Sequence, residues 1–203
     1  MARMKTRIRT KKSVGCTVWL ALTWVCAACG GGGDSSAIPS TVSTVCGYEL
    51  GTQRLDGTVS HVQDGDTITV NGTTVRLDSI DAPELSQSYG PQSQANLSAL
   101  VLGKTVKVAY AKTDRYGRVV GSVFTSGCKY INLEQVRTGN AWYYRAYQCE
   151  ISAAARYQFD SAETAAKSAK RGLWAESAPI APAVYRNGIS PEVPVCTSDS
   201  PSN

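Results

Sequence analysis

The sequence predicts an α+β fold, mainly β, in which a five-stranded barrel carries three helices. Two observations predict it. The first is a set of short β-branched runs, RLDGTVSHV, DTITV, TTVRLDSI, KTVKVAYA and GRVVGSVFT, each bounded by Gly, Asn or Asp. The second is the placement of the helical signals, one between the third and fourth runs and two after the fifth. That order of strands and helices is the order of an oligonucleotide-binding-type (OB-fold) barrel.

Each element has its own warrant. Asn71-Gly72 is a two-residue hairpin signal, because both residues tolerate positive φ. It sets a register in which Val70 faces Thr73, Ile68 faces Val75 and Asp66 faces Leu77. A first helix is expected from Pro91, a favoured first-turn residue, to Leu102, with Gly103 as its stop. A second runs from Asn132 to Thr138, capped by Asn132 and ended by Gly139. A third, alanine-rich, spans about residues 150 to 171 and stops at Gly172.

The ends of the chain read differently from its middle. Six of the 21 basic residues lie in the first twelve positions, ahead of an apolar run from Val14 to Ala28. This is the layout of a secretory signal, and the run is too short for a membrane span, which needs about twenty apolar residues. Without that segment the chain has 15 basic and 16 acidic residues, so the formal charge of +5 says nothing about a partner. The small residues before Cys29 resemble a bacterial lipoprotein signal, which would place lipid on Cys29; simple cleavage and secretion is the alternative. The expected organisation is therefore a signal at 1–28, a Gly/Ser/Thr-rich tether at 29–53, the barrel domain at 54–176 and a Pro-rich tail at 177–203. An exported, lipid-anchored or secreted monomer is expected.

Seven cysteines are present, and four of them, Cys46, Cys128, Cys149 and Cys196, lie beyond the signal and Cys29. An even number in an oxidising compartment permits two disulfides. The preferred pairing is Cys46 with Cys196, which would tie the flanks together, and Cys128 with Cys149. No pair has the spacing of a zinc site outside the signal.

The stretch DGDTITVNGTTVRLDSIDAPE, residues 64 to 84, places acids where strands would gain more from apolar residues. The hairpin register sets Asp66 on the face of Ile68, Val70, Val75 and Leu77, which is costly for a carboxylate unless something neutralises it. Asp81 ends the partner run before Pro83, which holds Ala82 extended and turns its carbonyl outward. Two carboxylates and a carbonyl are hard oxygen ligands that suit Ca²⁺. In an ideal ladder, however, Asp81 lies about 13 Å beyond the partner of Asp66, so a bulge or strong coiling must close the gap. The same ladder sets Arg76 on the opposite face. Arg76 and Arg118, the latter from TDRYGRVVG, are two guanidiniums able to grip phosphate oxygens bidentately, and Glu84 is a spare carboxylate beside them.

With these residues in place, the chain resembles the staphylococcal nuclease (thermonuclease) family over about 120 residues, from Gly57 to Glu176. The resemblance rests on DGDT, VRLDSIDAPE, YGPQS, DRYGRVVGSVF, INLEQVRTGNAW and RGLW in family order. It implies Ca²⁺-dependent hydrolysis of DNA and RNA, single-stranded or transiently open, on the 5′-oxygen side to leave 3′-phosphates. It carries the metal ligands onto Asp66, Asp81 and the Ala82 carbonyl, with Asp64 shaping the pocket. The catalytic roles fall on Arg76, Arg118 and Glu84, and a substrate-contacting tyrosine falls on Tyr116. A second substrate contact falls on Tyr143, Tyr144 or Arg145, with Tyr144 preferred. The type member has threonine where Ala82 stands, and the loop from Leu85 to Tyr89 is shorter here and lacks that member's lysines.

The chemistry implied is in-line attack of water on phosphorus, with Glu84 positioning or deprotonating the water and the arginines stabilising the growing charge. Trp142 and Trp174 read as packing residues, and His61, the only histidine, as a solvated strand residue. A non-catalytic barrel that binds single strands, or an envelope adaptor, is the competing reading. A degenerate barrel of that kind is expected to have lost a metal acid or an arginine, and this chain has lost neither.

Overall fold

The computed structural model describes residues 44–197. The expected signal, most of the tether and Cys29 lie outside the described residues. Five strands close into a barrel: β3 (Gln53–Val62), β4 (Thr67–Val70), β5 (Thr73–Leu77), β8 (Val119–Thr125) and β7 (Thr105–Thr113), in that spatial order. All neighbours are antiparallel except β5 and β8, which run parallel. A closed ring of five strands cannot alternate in direction throughout, so one neighbouring pair must run parallel; α1 (Gly90–Val101) lies in the chain between β5 and β7.

The hairpin register is the expected one, with Val70 opposite Thr73 and Ile68 opposite Val75, and Asn71 and Gly72 both at positive φ. Alternation then sends Ile68, Val70, Val75 and Leu77 into a core shared with Val106, Val108, Val123 and Phe124, all essentially without solvent exposure. Truncating one such residue, for example Ile68→Ala, would cost about 2–5 kcal/mol through lost burial and the cavity left behind.

The third run does not continue as one strand. It breaks at Asp78 and Ser79, where Ser79 adopts φ 60°, and resumes as the two-residue β6 (Ile80–Asp81), which pairs with β9 (Trp142–Tyr143) in a separate small sheet. A buried polar cluster holds this turn. Ser122 Oγ donates to Asp78 Oδ2 at 2.6 Å, and Asn132 Nδ2 donates to the Asp78 carbonyl and to Oδ1, each at 3.0 Å. Asn132 Oδ1 in turn accepts from the Val123 amide. Asn132 is therefore no helix cap: α2 runs Ile131–Arg137, one residue earlier than expected, and the asparagine side chain is spent on joining α2 to the β5–β6 turn.

The third helix, α3 (Ala153–Ser168), starts later than expected because Ser152 caps it, accepting from the Ala155 amide at 3.2 Å. A 3₁₀ segment, Arg145–Glu150, precedes it, and another, Gly172–Ala175, follows. Among the described residues no helix is long and apolar enough to cross a membrane.

Both flanks are more ordered than their composition implies. Residues 44–49, read as tether, form a hairpin of β1 (Thr44–Val45) and β2 (Tyr48–Glu49). Val45 is buried, and the Tyr48 ring lies against Phe124 and Tyr130 with centroids 5.4 and 5.1 Å away. The tail, read as lacking pattern, contains α4 (Pro182–Asn187), with Pro182 in its first turn and Gly188 at φ 74° closing it.

The disulfides correct the expected pairing. Cys46 joins Cys128 and Cys149 joins Cys196, with Cα separations of 5.4 and 5.3 Å. Neither Cys46–Cys196 nor Cys128–Cys149 forms. A bridge needs Cα atoms within about 7 Å, and the fold decides which cysteines meet that condition. Cys46 sits in the β1–β2 turn, which packs against the loop after β8 that bears Cys128. Residues 194–196 lie beside the first 3₁₀ segment, where Gln148 Nε2 donates to the Pro194 carbonyl at 2.6 Å.

Candidate active site

Asp64, Gly65 and Asp66 form the turn that enters β4. The Asp66 amide donates to Asp64 Oδ1 at 3.0 Å, so Asp64 fixes the turn that presents Asp66. Gly65 is required by close packing, since a Cβ there would stand 1.9 Å from Ser93 Oγ and 2.6 Å from the Ala82 Cβ. Gln135 Nε2 donates to the Gly65 carbonyl at 2.7 Å and ties the turn to α2.

The break at Asp78–Ser79 closes the gap that an ideal ladder leaves between the two acids. Folding back along β6 brings Asp81 to Asp66, and both carboxylates, 1% and 5% exposed as residues, approach the same guanidinium nitrogen. Arg76 Nη2 stands 3.1 Å from Asp66 Oδ2 and 3.1 Å from Asp81 Oδ1. Arg76 reaches them from the far face of β5 because Asp66 lies at the strand end, and its Nη1 donates to the Leu77 carbonyl at 2.8 Å. The Ala82 amide donates to Asp66 Oδ2 at 2.7 Å, which binds the two strand ends directly.

Burial dominates the electrostatics here. It pushes the Asp66 carboxyl up to about 7 despite the opposing pull of Arg76, with Asp64 and Asp81 adding to the rise. Burial also raises Asp81, against Arg76 and a further arginine, Arg186. Both carboxyls therefore resist ionisation, because their surroundings compensate the buried charge only in part. Among the described residues no three His, Cys, Asp or Glu side chains gather as a ready-made metal cage. The carboxylates that do converge are Asp66 and Asp81, beside the backbone of Ala82.

Glu84 follows Pro83 and is about one-third exposed. Its backbone packs on the start of α1, where Gly90 leaves no room for a Cβ beside the Glu84 carbonyl. Arg118 lies just before Val119, which pairs with Val75, so it enters the strand that runs parallel to the one bearing Arg76. Asp114 holds it: Oδ2 accepts from Arg118 Nε at 2.7 Å, and Oδ1 accepts from the Tyr116 and Arg118 amides. Tyr116 is largely exposed, with its ring 5.4 Å from the Arg118 guanidinium carbon.

The three candidates for the second substrate contact line one cavity with Asp81 but differ in their other contacts. Tyr143 is buried and stacks on Phe159 at 5.3 Å. Arg145 is paired with Asp160 and Glu163. Tyr144 is partly buried in that cavity of about 160 Å³, which it shares with Tyr143, Arg145 and Asp81, and its phenol is raised by burial and by the charge of Asp81. Trp142 and Trp174 pack edge to face at 4.3 Å, as packing residues do, and His61 is exposed in β3.

Two residues at the site escaped the sequence reading. Asp114 carried a signal, since an acid four residues before an arginine across a Tyr-Gly turn can both cap the turn and pair with the arginine. Arg186 carried none beyond the Pro182 and Gly188 that bound its short helix. It reaches Asp81 and Glu84 from the tail.

Comparison with known proteins agrees with this geometry. The family of staphylococcal nuclease homologues matches residues 74–176, just over half of the chain. An uncharacterized endonuclease of Escherichia coli is 38% identical over 137 residues, which cover 66% of this chain and 86% of that protein. An uncharacterized endonuclease of Haemophilus influenzae is 37% identical over 151 residues, covering 72% and 79% of the two chains. A probable staphylococcal-like nuclease of Oryza sativa is 34% identical over 122 residues, 60% of this chain and 35% of that one. A barrel with this strand order, a paired-carboxylate turn, an arginine on β5 and another at the entry to β8 define a nuclease-type fold. The chain belongs to the family of staphylococcal nuclease homologues.

Proposed function

We propose that this protein is a Ca²⁺-dependent phosphodiesterase that hydrolyses DNA and RNA in single-stranded or transiently open regions. Cleavage falls on the 5′-oxygen side of the phosphate and leaves 3′-phosphate ends. The observation that carries this reading is the convergence of Asp66 and Asp81, from different strands, on Arg76 Nη2. Relatives named as endonucleases and staphylococcal-like nucleases support the reaction class.

The donors suit a hard divalent cation. Asp66 and Asp81 offer carboxylate oxygens and Ala82 a carbonyl, the oxygen chemistry that Ca²⁺ takes with water completing the shell. Burial raises both carboxyls, so a cation would relieve a cost that Arg76 relieves only in part. Bound there, it would supply Lewis-acid polarisation of a phosphate oxygen.

The chain's own residues supply the rest. Glu84, at the rim and partly exposed, orients the attacking water and accepts its proton. Arg76 and Arg118 hold non-bridging phosphate oxygens and stabilise the charge that grows on them. Asp114 fixes the Arg118 fork before substrate arrives, so that orientation is not lost at the moment of reaction. Tyr116 offers an exposed ring on which a base can stack, and Tyr144 a second phenol in the cavity beside Asp81.

The test is degradation of single-stranded DNA by the purified protein, with Ca²⁺ or with excess chelator. Cleavage is expected with Ca²⁺ alone and not from Asp66→Ala. Intact DNA in the presence of folded, Ca²⁺-supplied protein would favour instead a barrel that only binds single strands.

The reading includes export as a monomer, lipid-anchored through Cys29 or released. Two disulfides support an oxidising compartment. Cys29→Ser should shift the protein from the membrane to the soluble fraction, and an unchanged distribution would rule out lipidation.

A further inference from the structure

The tail returns across the mouth of the site along residues 84 to 88. Ser88 Oγ donates to Glu176 Oε1 at 2.5 Å, Gln87 Nε2 donates to the Ile180 carbonyl at 2.6 Å, and the hydroxyls of Ser86 and Tyr185 lie 3.2 Å apart. The far end is fastened by the Cys149–Cys196 disulfide and by Gln148. Between these points α4 presents Arg186. Its Nη1 donates to Glu84 Oε1 at 2.6 Å, and its Nη2 donates to both Asp81 oxygens, at 3.0 and 3.1 Å. The family match ends at residue 176, so this segment lies outside the shared domain.

One guanidinium therefore spans a proposed metal ligand and the proposed base. Asp81 Oδ1 already accepts from Arg76, and Arg186 takes both of its oxygens. A Ca²⁺ ion gathers about six to eight oxygens and would need the lone pairs that Arg186 holds. Glu84 bound to Arg186 is likewise not free to direct a water molecule. Contacts of this kind are charge-assisted and directional, and the side chain that makes them is only about one-third exposed.

We propose that Arg186 is the chain's own competitor for the cation at Asp81 and that residues 176–196 form a strap that holds it there. The strap must release Asp81 and Glu84 before the site can be loaded, so the tail sets the cation concentration at which the enzyme becomes active. This rests on the cation reading given above, and the experiment separates the two. Ca²⁺ is titrated calorimetrically into the full-length chain and into Arg186→Gln, with circular dichroism confirming that both are folded. Binding about tenfold tighter in Arg186→Gln is expected, a modest value because the contact is partly exposed. A Cys149→Ser/Cys196→Ser variant, in which the strap is unfastened, should shift the same way. Equal or weaker affinity in Arg186→Gln would overturn the competition while leaving the cation site intact. No binding to any variant would overturn the cation reading and this inference with it.

Discussion

Asp114 and Arg118 form a preset fork: the carboxylate accepts from Arg118 Nε at 2.7 Å and, with its other oxygen, from the Arg118 amide at 3.0 Å. Burial alone would raise the Asp114 carboxyl, but its bonds to Arg118 outweigh that and hold it below the usual range. Asp114 is thus ionised at neutral pH and aims the guanidinium without touching substrate. Arg118→Ala should lower kcat by about a thousandfold. Asp114→Ala should cost about ten- to a hundredfold, chiefly in kcat, since it loosens orientation and leaves the charge. Steady-state kinetics on both variants checks this; an Asp114→Ala enzyme with unchanged kcat would remove its positioning role.

Asp66→Asn should abolish Ca²⁺ binding and lower cleavage at least about a hundredfold. It should not destabilise the apo protein. Burial already penalises the charge at this position, and the amide oxygen can still accept from the Ala82 amide. Thermal unfolding in chelator should agree with wild type within about 4 °C, equivalent to about 1 kcal/mol. A large drop would assign Asp66 to the scaffold.

The Cys46–Cys128 bridge closes a sequence separation of 82 residues. Chain-entropy arguments give such a loop about 4 kcal/mol of stabilisation. Cys46→Ser/Cys128→Ser should lose roughly that amount in urea unfolding, and reductant should cost wild type more than the variant, since in wild type it opens both bridges.

Asp78 gives a pH signature of the turn. Burial raises its carboxyl, and the donors Ser122, Asn132 and Tyr130 recover only part of that rise. The native state then binds a proton more tightly than the unfolded chain does. Its contribution to stability is fully present below the unfolded carboxyl pKa, about 3.9, and is lost as pH rises through the higher folded value. The stability advantage of wild type over Asp78→Ala should therefore narrow from pH 4 to pH 7 in denaturant titrations. An advantage that widens over that range would reverse the assignment.

By itself the sequence determined the barrel, its hairpin register and the identity of the candidate ligands. These are written in local signals: Asn71-Gly72 fixes a two-residue turn, alternation sends Ile68 and Val75 inward, and DGDT with RLDSIDAPE sets carboxylates beside strand ends. Only the tertiary structure decided how Asp81 reaches Asp66, because the break at Ser79 depends on Ser122 and Asn132, 43 and 53 residues away in the chain. The disulfide partners were likewise a matter of which surfaces the fold brings within bonding distance, and four cysteines look alike along a chain. Arg186 is the extreme case. A lone arginine in a proline-rich tail has no local pattern to mark it, and its place against Asp81 and Glu84 follows from long-range packing that no window of sequence encodes.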